Sequence, residues 1–198
     1  MAFRQAPRAI GSLVNSAGTD RSEPLAVPGG RAVFAGDGND TLTGSPVVRQ
    51  GRVLPSFMIG GNGDDSYRVK RGSLSVIADF GGGRDLIDLS EMNATSTRFA
   101  DLDHGVIGAF DGVTYAVIVQ PMGTAKTAIE SLRFAGQNWT PSSLIAFGKG
   151  QGAYMGQLSF QKLSDLGMLN FSVVGLSPSS AGIKAILDAA AFNAGLIV

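Results

Sequence analysis

The sequence has no cysteine and only one histidine, His104. Without cysteine there are no disulfides, no thiolate metal sites and no thiol nucleophile. A single histidine cannot supply the two helix-spaced ligands of an H-E-x-x-H zinc protease. The nearest approach to a lipase elbow, Gly175-Leu176-Ser177-Pro178-Ser179, lacks the second glycine of G-x-S-x-G. Catalysis is therefore not expected. His104 reads as a turn residue, and Trp139, the lone tryptophan, reads as core. Charge of either sign is not in excess, since 16 basic residues face 16 acidic ones, so nothing steers the chain toward nucleic acid or an anionic membrane. Nor is there an apolar run long enough to predict a membrane span, and Met1–Arg8 lacks the apolar stretch of a secretory signal.

What the chain has instead is glycine, 28 residues of it, concentrated in three similar turns. The first is Ala35-Gly36-Asp37-Gly38-Asn39-Asp40-Thr41-Leu42-Thr43. The second is Gly60-Gly61-Asn62-Gly63-Asp64-Asp65-Ser66-Tyr67-Arg68. The third is Phe80-Gly81-Gly82-Gly83-Arg84-Asp85-Leu86-Ile87-Asp88. All three follow G-G-x-G-x-D-x-U-x, where U is a large apolar residue. Glycines let the backbone curl and expose successive carbonyls, the Asp adds an anionic oxygen, and the apolar residue anchors a short strand. Ordinary hairpin turns also favour Asn, Asp and Gly, but they do not require an apolar residue two places after each Asp.

These turns resemble the RTX, or hemolysin-type, calcium-binding repeat. The resemblance implies a short parallel β-roll in which stacked turns share Ca2+ ions, because calcium wants six to eight oxygens and one turn cannot supply them. The side-chain ligands it implies are Asp40, Asp65 and Asp85. Carbonyls would come from Gly36 and Gly38, from Gly60, Gly61, Asn62 and Gly63, and from Gly81 and Gly83. A coil of such a roll takes roughly 18 residues, two nonapeptides. Asp65 to Asp85 is 85 − 65 = 20 residues, and Asp40 to Asp65 is 65 − 40 = 25, one coil plus an insertion placed at Gly44-Ser45-Pro46 and Gly51. Ala35 and Phe80 replace first glycines, and Arg84 sets a cation beside the third turn, which predicts the weaker site between turns two and three. The closing run Ile77–Ser90 resembles the last coil of the family. Its Asp79 and Asp88 read equally well as ligands or as turn and strand-end residues.

The fold class expected is mainly β: a short parallel β-roll of glycine-rich turns, a β-rich cap and a small C-terminal helical segment. By residue, 1–30 read as an irregular arm, 31–90 as the roll, 91–147 as the cap, and 148–198 as a linker followed by the helical segment. In the cap, strands flank Asp111-Gly112 as a type I′ hairpin, Leu132–Phe134 forms another strand, and Thr140-Pro141 opens a short helix ending near Phe147. Gly148, Gly150 and Gly152 suggest the linker. From Ser177 onward, Ile183, Ile186, Leu187, Ala190 and Ala191 recur at helical spacing. That helix either packs on its own domain or serves as the C-terminal type I export signal that the resemblance implies. The reading that follows is a non-catalytic calcium-binding protein, secreted or on the cell surface. Its alternative is a structural subunit that self-associates in an extracellular or virion assembly.

Overall fold

The computed structural model describes residues 14–79, 81–102, 106–119 and 129–165. Phe80, His104 and the expected C-terminal helix lie outside them. The protein is mainly β, with parallel strand pairs in mixed sheets. One chain rhythm generates most of it. Strands β1 (Val14–Ala17), β3 (Arg31–Phe34), β7 (Pro55–Ile59) and β9 (Leu74–Ala78) pair in parallel in one sheet. Alternating with them, β2 (Pro24–Pro28), β4 (Thr41–Ser45), β8 (Ser66–Arg68) and β10 (Leu86–Asp88) pair in parallel in the other.

Between the sheets lies a row of apolar side chains. Leu42, Tyr67 and Ile87, the anchors of the three turns, are cross-strand partners and fully buried. They pack with Val33, Met58 and Ile77 of the facing sheet. Burying one such side chain is worth about 1.5–3 kcal/mol, so each anchor fixes its turn against the core. The facing sheet is buried on both sides, and β7 and β9 are accordingly buried along their length and apolar apart from Ser56 and Ser75.

The insertion between the first two turns is a projecting hairpin, β5 (Val48–Arg49) with β6 (Arg52–Val53). Its two-residue link, Gln50-Gly51, has both φ values positive, 51° and 71°, as a type I′ turn requires.

Residues 14–28 are not the irregular arm expected. They add one strand to each sheet, because Leu25, paired with Leu42, continues the apolar row and packs on it. Beyond the third turn, β11 (Arg98–Leu102), β12 (Val106–Phe110) and β13 (Tyr115–Val119) form an antiparallel meander whose last strand pairs in parallel with β9. Next, β14 (Ser131–Phe134) pairs in parallel with β10, and β15 (Gln137–Trp139) closes that six-stranded sheet. The cap therefore opens by repeating the same alternation. The loop between β12 and β13 holds four residues rather than a two-residue type I′ turn. Asp111 decides this: its carboxylate accepts the N–H groups of Val113, Thr114 and Asn93, and these outweigh burial to hold its pKa below the usual value.

Helix α1 (Pro141–Gly150) starts at the expected N-cap, Thr140, whose Oγ1 accepts the Ser143 N–H at 3.2 Å. It runs past Phe147 to Gly150, so Gly148 and Gly150 are helical rather than linker. Gly148 must be glycine because Phe99 packs against its Cα. Strand β16 (Tyr154–Leu158) then pairs in parallel with β11, and α2 (Phe160–Asp165) ends the described chain. Trp139 is half-buried, stacks on Phe147 and donates its indole N–H to the Phe134 carbonyl. No helix among the described residues is long and apolar enough to cross a membrane.

Candidate metal centre

Five strands of the six-stranded sheet are each preceded directly by an acidic residue, and these acids lie together on one edge of the molecule. These are Glu23, Asp40, Asp65, Asp85 and Glu130. Their carboxylates and backbone amides form a ladder. Glu130 Oε2 accepts the N–H of Asp85 at 2.7 Å, and Asp85 Oδ1 accepts that of Asp65 at 2.9 Å. Asp65 Oδ1 accepts that of Asp40 at 2.8 Å, and Asp40 Oδ1 accepts that of Glu23 at 2.9 Å. Parallel pairing fixes this spacing, since each acid precedes a strand hydrogen-bonded in register to the next.

Outside it runs a second, exposed ladder of opposite sense. Ser22 Oγ accepts the Asn39 N–H, Asn39 Oδ1 that of Asp64, and Asp64 Oδ1 that of Arg84, each at 2.9 Å. Asn62 Nδ2 also donates to Asp37 Oδ1 at 2.9 Å.

Glycine is required where the turns stack. A Cβ on Gly61 would strike the Gly36 carbonyl, and one on Gly81 would strike the Gly61 carbonyl. Likewise Gly63 lies against the Gly38 carbonyl, and Gly83 against that of Gly63. All three turns are thus brought together with their expected donors in columns. Some carbonyls already join turn to turn: Gly36 O accepts the Asn62 N–H, Asn62 O that of Gly38, and Gly82 O that of Gly63. Gly60 sits at the floor of the acidic edge, where a side chain would collide with Tyr67, Asp65 and Asp79.

The closest carboxylates belong to Asp65, Asp79 and Asp85, all buried, each offering an oxygen within 4.8 Å of the others. Asp79 Oδ1 accepts the Gly81 N–H at 2.9 Å, and Asp79 Oδ2 accepts the Tyr67 phenol in a short bond. Asp79 thus faces inward with the turn acids. Asp88, in contrast, ends its strand by accepting the N–H and Oγ–H of Ser90. The tightest group falls between turns two and three, where Arg84 suggested the weaker site; the Arg84 side chain is exposed.

Electrostatics show what this edge lacks. Burial pushes the Asp85 carboxyl up to about 7, with the charges of Asp79, Glu130 and Asp65 adding to it and the Asp65 N–H opposing. Burial likewise raises Asp65 to about 6, against hydrogen bonds from the Asp40 and Gly61 N–H groups and with Asp79 and Asp40 adding. Burial raises Asp40 as well, against the hydrogen bond from the Glu23 N–H and with the Glu23 charge adding to it. Its Oδ2, fully buried, has no hydrogen-bond partner. An uncompensated buried carboxylate oxygen costs several kcal/mol unless it is protonated or meets a cation. The donor set is all oxygen, without nitrogen or sulfur, and suits a hard cation.

Sequence reasoning missed Glu23, Glu130 and the outer ladder. The signal for the first two was present: Glu23-Pro24-Leu25 and Glu130-Ser131-Leu132 repeat the acid-x-apolar order of Asp40-Thr41-Leu42 without the glycines.

Compared with known proteins, the sequence matches no protein-family model and no curated protein.

Proposed function

We propose that this chain is a non-catalytic calcium-binding protein, acting in an extracellular or cell-surface setting, in which Ca2+ folds and stiffens a short parallel β-roll. The observation that carries this reading is the buried carboxylate row at the tips of stacked glycine turns, with Asp40 Oδ2 left without a partner. Asp40, Asp65, Asp79 and Asp85 would hold the ion, joined by carbonyls of the adjoining glycine turns. Bound there, calcium supplies the positive charge that the edge lacks.

The residues themselves divide the work. The backbone ladder holds one oxygen each of Asp40, Asp65 and Asp85; the second oxygen of Asp65 accepts the Gly61 N–H, and the second of Asp40 has no hydrogen-bond partner. Leu42, Tyr67 and Ile87 tie the turns to the core, which couples metal binding to folding of both sheets. Sites of this kind operate where calcium is about 10⁻⁴–10⁻³ M, which supports a location outside the cell. Thermal melts of the metal-free chain with and without millimolar calcium test the proposal. A gain of many degrees supports it, and an unchanged midpoint removes it.

A further inference from the structure

The molecule has a second edge, formed by the return connections from the six-stranded sheet to the eight-stranded one. These are the turn at Gly29-Gly30 leading to Arg31, the β5–β6 hairpin, residues 69–73, and residues 89–97, whose Glu91 meets Lys70 and the Arg71 N–H. They stack as the acidic turns do: Gly29 lies against Leu54 and Val47, and Pro46 approaches Gly72. Their charge is the reverse. Arg31, Arg49, Arg52 and Arg71 are exposed here.

None of these four guanidiniums is ion-paired among the described residues, where the ion pairs are Lys70–Glu91 and Arg133–Asp88. Arg49 and Arg52 face one another directly across the hairpin. Like charges in that position are destabilising by themselves, and a short hairpin has little else to stabilise it. Val48 beside them is 63 % exposed. A hairpin that holds two unpaired arginines and a valine toward solvent is built for contact.

The turn edge offers the opposite charge, alongside the exposed Arg21 and Arg84. There Asp37, Asp64 and Glu130 are exposed, hydrogen-bonded only by neutral N–H groups and free of ion pairs. Copies with no net charge do not repel one another as wholes. Adjacent strands lie about 4.7–4.9 Å apart, so Asp37 and Asp64 of neighbouring turns stand opposite the paired Arg49 and Arg52 of the next copy. Arginine pairs with carboxylate through two parallel N–H···O bonds.

We infer that a second copy of this chain docks here, the arginine edge of one against the acidic turn edge of its neighbour. The contact is heterologous, and so it extends into an open row rather than closing a dimer. It gives the assembly that was the alternative reading of the sequence a specific interface. One further consequence rests on the calcium reading: calcium at the turns neutralises the surface that the arginines seek, so calcium and the neighbouring copy compete.

Sedimentation velocity of the metal-free full chain at about 10 mM salt, where the screening length is about 30 Å, tests this. Wild type should associate with concentration, and association should vanish near 0.2 M salt. Arg49→Glu/Arg52→Glu should weaken it at least tenfold, as should Asp37→Lys/Asp64→Lys, whereas an equimolar mixture of the two double variants should associate again. A wild type that sediments as a single copy at about 100 μM overturns the inference, as does a hairpin variant that associates like wild type. Capture of a sulfated polysaccharide without self-association also overturns it. Circular dichroism of each variant verifies its fold. Calcium titration of Arg49→Glu/Arg52→Glu reads the turns separately: an unchanged response shows that failure of docking is not failure of calcium binding.

Discussion

Asp65 and Asp40, 25 residues apart, are joined by a 2.8 Å bond from the backbone N–H of the earlier residue to the carboxylate of the later one. The bond occupies one oxygen of a buried charge and ties two coils together, so substitutions at Asp65 separate structure from metal binding. Asp65→Ala removes the acceptor for the N–H groups of Asp40 and Gly61 and should cost about 1–3 kcal/mol for each amide left unsatisfied. Asp65→Asn discards a charge that burial disfavours and keeps one acceptor oxygen, but sets its amide nitrogen against the second N–H group. Metal-free Asp65→Asn should therefore lose less stability than Asp65→Ala at pH 7.5 in urea titrations, yet lose most of its gain with calcium.

The pH dependence follows from the raised carboxyls. Asp65 and Asp85 titrate at about 6 and about 7 in the folded chain against 3.8 as the reference value. Between pH 4 and 7 or so the folded state then binds more protons than the unfolded one, and stability falls as pH rises through that window. Metal-free melts in a chelator should show the midpoint dropping from pH 5 to pH 7.5 and levelling above. Saturating calcium should flatten that slope. A metal-free midpoint that rises over the same range contradicts the description of this edge.

Glycine substitutions separate a required conformation from mere composition. Gly81→Ala forces its Cβ onto the Gly61 carbonyl, whereas a Cβ on the neighbouring Gly82 meets nothing within 4 Å. Overpacking of this sort costs about 1–3 kcal/mol, so Gly81→Ala should lower the urea midpoint clearly while Gly82→Ala changes it little.

The two acids of the closing run should behave differently. Asp79 is buried among the turn carboxylates and bonded to Tyr67, whereas Asp88 caps its own strand end. Asp79→Asn should reduce calcium affinity by at least tenfold in calorimetry, and Asp88→Asn should leave it unchanged. Equal effects would return Asp79 to an ordinary turn role.

Much of this edge was legible because glycine, aspartate and the apolar anchor each carry a separate physical requirement, and Gly61, Asp65 and Tyr67 satisfy all three together. Glu23 and Glu130 were hidden because their turns lack glycine, so only the acid and the anchor remained as signal. The two-residue offset from acid to anchor becomes visible once the parallel register is known. Asp79 was ambiguous because nothing local says that a residue after β9 faces the core. The β12–β13 loop misled because Asp111-Gly112 fits a two-residue turn, while the three N–H donors that its carboxylate gathers, one of them from Asn93, stabilise a longer loop.

Calorimetric titration of calcium into the metal-free chain, with circular dichroism on the same sample, tests the central claim most directly. Saturable heat from calcium together with a gain in β signal is the result expected of the carboxylates gathered at Asp40, Asp65, Asp79 and Asp85. No heat and an unchanged spectrum would mean that protonation and the amide ladder alone satisfy these acids, and the proposal that calcium folds this edge would be wrong.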